Sequence, residues 1–143
     1  MIGVTGLGAA ALLWARNRLI VVTVAGTSMM PTLGDGDRVL VRRRSIGHLR
    51  RGDVVVIEPP LEGPYHPVAA EPDGRLWNIK RVAALPGDRL PPGIPGPRTI
   101  PPGALAVLGD NPDSIDSRFR GLFSGDRLLG VVVHRLGAAS NAD

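Results

Sequence analysis

Cysteine is absent from the 143 residues. That excludes disulfides, thiol nucleophiles and cysteine-ligated zinc, and it leaves the compartment open. Aromatic residues make up only 3% of the chain, against 19 Gly and 14 Pro. A chain this rich in turn formers fits short strands and many turns better than long helices, and its length suits one domain with a modest core. Lysine is almost missing as well: among 17 Lys and Arg residues, Lys80 is the sole lysine. The formal charge of +4 can attract nucleic acid or anionic lipid. The basic runs lack the interleaved aromatics of a base-stacking platform, so nucleic acid is not an expected partner. His48, His66 and His134 lie far apart without metal-ligand spacing, so neither a metal nor another cofactor is expected.

A membrane-length hydrophobic run is missing too. Gly3 to Trp14 is apolar and uncharged, but a bilayer-spanning helix needs about 20 residues. No basic residue precedes the run, which argues against a signal peptide. It reads as the end of a membrane anchor whose start lies outside this chain, as a short interfacial anchor, or as a buried terminal helix. Arg16 and Arg18 follow it. By the positive-inside rule they would put the main domain in the cytoplasm.

After Arg18 the pattern changes. Leu19 to Val24 is rich in β-branched residues and reads as a strand, as do Val39 to Val41, Val54 to Ile57, Leu76 to Ala83, Leu105 to Leu108 and Leu129 to His134. Gly-Asp pairs recur between them, at Gly34-Asp35, Gly36-Asp37, Gly52-Asp53, Gly87-Asp88, Gly109-Asp110 and Gly125-Asp126. Each reads as a turn, because Gly supplies positive φ and Asp bonds to nearby backbone. Glu58 to Arg75 and Leu85 to Gly103 are Pro/Gly-rich loops. No internal domain boundary is evident.

Three segments carry residue types that do chemistry. Ser28 lies in Gly26-Thr27-Ser28-Met29-Met30-Pro31-Thr32-Leu33, just past a strand end. A serine hydroxyl is a weak nucleophile and needs a base within hydrogen-bond reach. Lys80 lies in Trp77-Asn78-Ile79-Lys80-Arg81-Val82. On a strand it shares a face with Asn78 and Val82, while Ile79 and Arg81 point the other way. A desolvated lysine can act as a base; arginine cannot, because it does not deprotonate in a protein. A chain that uses arginine elsewhere and keeps one lysine points to a need for that amine. The third segment is the polar loop Gly109-Asp110-Asn111-Pro112-Asp113-Ser114-Ile115-Asp116-Ser117-Arg118. Taken singly, Ser28 reads equally as a turn cap, Lys80 as a surface lysine and the loop as a solvated turn.

Taken together, the segments resemble the signal peptidase I (leader peptidase) family of Ser/Lys endopeptidases. Four blocks occur in that family's order: Gly26 to Leu33, Arg51-Gly52-Asp53-Val54-Val55-Val56, Ile79-Lys80-Arg81-Val82 with Leu85-Pro86-Gly87-Asp88, and Gly109-Asp110-Asn111 with Ser114 to Arg118. The resemblance implies that Ser28 is the nucleophile and Lys80 the general base. Ser114 would orient the amine, and Asp116 and Arg118 would form an ion pair behind it. Asp110 would brace the loop, and Met29 would pack beside the pair. The Ser28 backbone N–H would hold the oxyanion, and any second donor at Gly26 would have to be backbone. The Asp110 to Ser114 loop is one residue shorter than the family's common pattern. The stretch from Lys80 to Gly109 is also short, so a second β subdomain is expected to be reduced or absent.

The resemblance further implies a mainly β fold, an antiparallel, barrel-like sheet behind a short N-terminal apolar helix. The expected organisation is an anchor at 1–18, a peptidase domain at 19–136 and a tail at 137–143. The implied activity is removal of signal peptides from exported preproteins, on the extracytoplasmic face of the cell membrane and without a cofactor. That placement opposes the charge rule above. Two alternatives stay open: a self-cleaving SOS-repressor-type Ser/Lys protease, and a non-enzymatic basic β module for nucleic acid or lipid.

Overall fold

A computed structural model describes residues 18–60 and 77–138. The expected N-terminal apolar helix and most of the first Pro/Gly-rich loop lie outside the described residues. Among the described residues no helix is long and apolar enough to cross a membrane.

Seven strands form one antiparallel sheet. They are β1 (Leu19–Thr23), β2 (Asp37–Arg43), β3 (Val54–Ile57), β4 (Asn78–Ala84), β5 (Ala104–Leu108), β6 (Phe123–Ser124) and β7 (Leu128–Ala138). Their order across the sheet is β1-β2-β7-β3-β4-β5-β6. The mainly β, antiparallel expectation therefore holds. Strand β7 runs on to Ala138, into the segment expected as a tail, because Asp37 and Arg38 of β2 pair with Ala138 and Gly137. The sequence reading missed β6 and the one-turn helix α1 (Ser117–Arg120), since both are too short to show a period.

Alternation decides which side chains meet. Val56 and Ile79 join Val24, Met29, Leu33, Val39 and Val41 in one buried cluster. Val55, Ile57 and Val82 join Leu49, Leu105, Val107 and Phe123 in another. Both faces of the β3–β4 pair are thus covered, so its strands read as nearly continuous apolar runs. The loop from Leu85 to Gly103 contributes Ile94 and Ile100 to a third cluster with Ala84 and Ala106. Its only ladder contact is an isolated bridge between Arg89 and Thr99.

Several of the Gly-Asp turns work as expected. Gly52 and Gly87 have φ of 92° and 87°. Asp53 and Asp88 accept the backbone N–H groups of Arg50 and Leu85, in each case three residues earlier. Gly34, Gly109 and Gly125 do not have positive φ. At Gly109 and Gly125 the reason for glycine is close packing instead, since a Cβ on either would lie within 3.0 Å of other atoms.

Candidate active site

Five polar or charged side chains are buried among the described residues: Asp37, Lys80, Ser114, Asp116 and Ser117. Four of them gather at one end of β4 and β5. Buried polar groups are kept only where hydrogen bonds replace water, so this cluster marks a built site on physical grounds alone.

Lys80 is 4% exposed and stands opposite Val55 on β3. Its Nζ donates to Ser114 Oγ at 2.9 Å. Burial pushes the amine down from 10.5 to about 8. Asp116 opposes that fall, while Arg120 and Arg118 add to it. The one-residue shortening of the loop leaves Ser114 within reach of the amine.

Ser28 is joined to the same loop through its backbone. Its carbonyl accepts the Asn111 N–H at 2.9 Å, and Asn111 Nδ2 donates to the Thr27 carbonyl at 3.1 Å. Gly109 is wedged between the two serines. A Cβ there would fall 2.1 Å from Ser114 Oγ and 2.6 Å from the Ser28 carbonyl oxygen. Met29, next to Ser28, and Ile79, next to Lys80, share one buried cluster. The core thus grips the residue adjoining each member of the pair. Among the described residues the Ser28 hydroxyl and the Ser28 N–H have no hydrogen-bond partner. The Gly26 N–H, by contrast, donates to Asp35 Oδ1 at 2.8 Å.

Asp116 is fully buried and accepts four hydrogen bonds: from Gly109 N at 2.8 Å, Arg118 N at 3.1 Å, Arg118 Nε at 3.0 Å and Arg118 Nη2 at 2.8 Å. Burial alone would raise its carboxyl, but the Arg118 guanidinium and the two backbone donors outweigh it and hold the group below the usual range. Ser117 Oγ accepts the Val107 N–H of β5 at 2.9 Å. Together they weld the loop to the strand that precedes it.

Asp110 acts more widely than bracing its own loop. It receives Arg81 Nε at 2.9 Å, Arg81 Nη2 at 2.8 Å and Thr32 Oγ1 at 2.6 Å. Arg81 Nη1 also donates to the Gly52 carbonyl. One carboxylate therefore ties the lysine strand to the serine turn. The sequence reading assigned no role to Arg81, Thr32, Asn111, Asp35 or Arg120. Arg81, Thr32 and Asn111 did sit inside the matched blocks, which was the available signal. Arg120 Nε is buried with no hydrogen-bond partner, and nothing in its sequence surroundings hinted at that.

Two outcomes check this geometry. Gly109→Ala should lower activity on a short peptide by well over an order of magnitude and also lower the Tm, because its Cβ meets backbone. Gly52→Ala, where nothing lies within 4 Å, should cost about 1 kcal/mol of φ strain and leave kcat unchanged. Asp116→Ala should lower the Tm at neutral pH by stranding Arg118 and two N–H donors, at a cost of about 3 kcal/mol or more. The folded Asp116 carboxyl titrates below 3.8, so its contribution is complete above that pH and is lost as the pH falls through the lower, folded value. Thermal denaturation of the variant and wild type should converge in that acid range.

Comparison with known proteins agrees with this arrangement. The sequence profile of the family described as "Signal peptidase, peptidase S26" matches residues 2–91 and 92–136. Signal peptidase I T of Bacillus subtilis is 34% identical over 138 residues, covering 76% of this chain and 68% of that protein. Signal peptidase IB of Staphylococcus aureus is 30% identical over 156 residues, covering 79% and 75%. Signal peptidase I of Bacillus caldolyticus is 28% identical over 151 residues, covering 78% and 76%. The profile takes in both the serine turn and the buried lysine with its loop, so the chain belongs to the signal peptidase I family of serine peptidases.

Proposed function

We propose that this protein removes N-terminal signal peptides from exported preproteins through an acyl-enzyme formed on Ser28, with Lys80 as general base. The observation that carries the proposal is the sole lysine of the chain, buried and held by Ser114 Oγ at 2.9 Å, with its amine pushed down to about 8.

The chemistry follows from that amine. Neutral Lys80 accepts the proton of the Ser28 hydroxyl as Oγ attacks the scissile carbonyl carbon. The oxyanion that forms needs a donor already aimed at it. The Ser28 N–H has no competing acceptor among the described residues, whereas Gly26 N–H is held by Asp35. Collapse breaks the C–N bond, and protonated Lys80 returns its proton to the leaving amine. Water then attacks the acyl-enzyme with Lys80 again as base, and Ser28 is regenerated. Ser114 keeps the amine aimed through both halves, and Asp116 with Arg118 keeps Ser114 in place. Met29 and the Asp110 tie hold the serine turn against the lysine strand.

The preproteins are the expected partners. The expected location is the cell membrane, with the catalytic domain on the extracytoplasmic face and residues 1–18 as the anchor. No observation favours a self-cleaving repressor-type protease or a non-enzymatic basic module.

The pH dependence tests the base. Only neutral Lys80 accepts a proton, so kcat/KM on a short soluble peptide should rise with pH through about 8 and then level off. Lys80→Arg and Ser28→Ala should each lower it by roughly 100-fold or more without unfolding the protein, the Tm of Ser28→Ala staying near wild type. An Arg variant that keeps more than about a tenth of the activity would remove Lys80 from the role. Stability gives an independent reading. Between about 8 and 10.5 the unfolded chain holds the Lys80 proton that the folded chain has lost, so stability rises with pH across that window. Below it the buried cation costs on the order of 3 kcal/mol. Lys80→Met should therefore raise the Tm at pH 7 while abolishing activity, and its advantage should shrink as the pH climbs through that window.

A further inference from the structure

The described arginines differ in their partners. Arg51, Arg81, Arg118, Arg127 and Arg135 each have a carboxylate within ion-pair distance. Among the described residues Arg43 and Arg44, at and just past the end of β2, have none, as is also true of Arg38, Arg42, Arg50, Arg89, Arg98 and Arg120. Arg43 and Arg44 line a hollow of about 520 Å3 together with Arg18, Ser45 and His48. No carboxylate of the described residues lines it. Leu128 and Leu129 of β7 supply apolar lining. A neighbouring hollow of about 540 Å3 shares Arg44 and His48 and adds Arg50. Its one carboxylate, Asp53, is turned to the Arg50 backbone N–H at 2.8 Å.

The sheet assembles this cluster. Leu19 pairs with Arg42, so Arg18 before β1 and Arg43 beyond Arg42 come side by side. A turn of 3-10 helix at Ile46–His48 then folds back, and Ser45 Oγ bonds His48 Nδ1 at 2.9 Å, which leaves Nε2 as the other polar atom of the ring. Like charges so placed repel one another, and an anion between them relieves the repulsion. Guanidinium groups match phosphate oxygens in geometry as well as charge.

We infer that this arginine hollow binds the phosphate of an anionic membrane-lipid headgroup. Two observations select a lipid over free phosphate. The hollow pairs its cations with two leucines, which suits an amphiphile and gives nothing to a bare ion. Arg18 also follows the apolar run Gly3 to Trp14 by only four residues, at most about 14 Å of chain. If that run sits in a bilayer, the hollow lies at the depth of the headgroups, where basic residues gain from anionic lipid. The inference goes beyond the peptidase reading and does not depend on it.

The test is the partition of the full chain, at limiting lipid, into phosphatidylcholine vesicles with and without a third of phosphatidylglycerol. The apolar run contributes to both vesicles and cancels in the ratio of the two coefficients. Arg43→Ser/Arg44→Ser should lower that ratio by about 25-fold, on the basis of about fivefold per arginine near an anionic surface. Arg89→Ser/Arg98→Ser removes the same charge from the Pro/Gly-rich loop and should lower it far less. High salt should bring wild type and the first variant together. Both double variants should keep wild-type activity on a short soluble peptide, which reports that they fold. Equal ratios for the two double variants would reduce the effect to net charge and overturn the site. Saturable binding of inorganic phosphate, lost in Arg43→Ser/Arg44→Ser with no phosphatidylglycerol preference in wild type, would make it a free-phosphate site. A single-stranded oligonucleotide that binds in the same Arg43/Arg44-dependent way, again without that preference, would make it a nucleic-acid site. A failure of the peptidase reading would appear in the Lys80 and Ser28 variants and leave these ratios untouched.

Discussion

The structure turns on the burial of one amine. A lysine held 4% exposed between strands gives up much of its hydration, which lowers its amine from 10.5 to about 8. Everything around it limits what that burial costs. Among the described residues, Ser114 Oγ accepts the amine's hydrogen bond at 2.9 Å. Ser114 is itself fixed by the turn that Asp116 organises through Gly109 and Arg118. An apolar residue in place of Lys80 would relax the whole assembly, which is the usual sign of a site that trades stability for reactivity.

Two carboxylates divide the labour of holding the site. Asp116 works within the loop and α1, and it is sealed from solvent. Asp110 works between elements, joining β4 through Arg81 to the serine turn through Thr32. Arg81 gives its carboxyl a guanidinium fork that lowers it, burial works against that, and Thr32 adds a further donor. The serine turn and the lysine strand are thus held together from two sides: apolar packing of Met29 against the cluster of Ile79, and the polar Arg81–Asp110–Thr32 tie. Lys80 is held further by Ser114 Oγ and Ser28 by its carbonyl to the Asn111 N–H.

The arginine-rich composition resolves into separate jobs once the fold is known. Some guanidinium groups brace loops, one lies half-buried near Lys80 and helps lower its amine, and others gather at the start of the sheet. Lysine could not replace the bracing arginines without loss of the two-pronged contact to carboxylate. Arginine in place of Lys80 would keep its proton.

By itself the sequence determined the strand segments, the position of most turns and the identity of the reactive types. Those are local matters: β-branched runs, Gly-Asp turns with their backbone-capping carboxylates, and a single lysine among arginines. It also carried Ser114, Asp116 and Arg118, because they sit close together in one loop. Only the tertiary structure decided that Gly109 is glycine for want of room rather than for a turn, since the obstructing atoms belong to Ser114, folded back from the same loop, and to Ser28, far away in the chain. The same holds for the reach of Asp110 to Thr32, 78 residues distant, for the capture of the Gly26 N–H by Asp35, and for the meeting of Arg18 with Arg43 at the edge of β1 and β2. Each depends on strand order and register, which no local pattern of residues encodes.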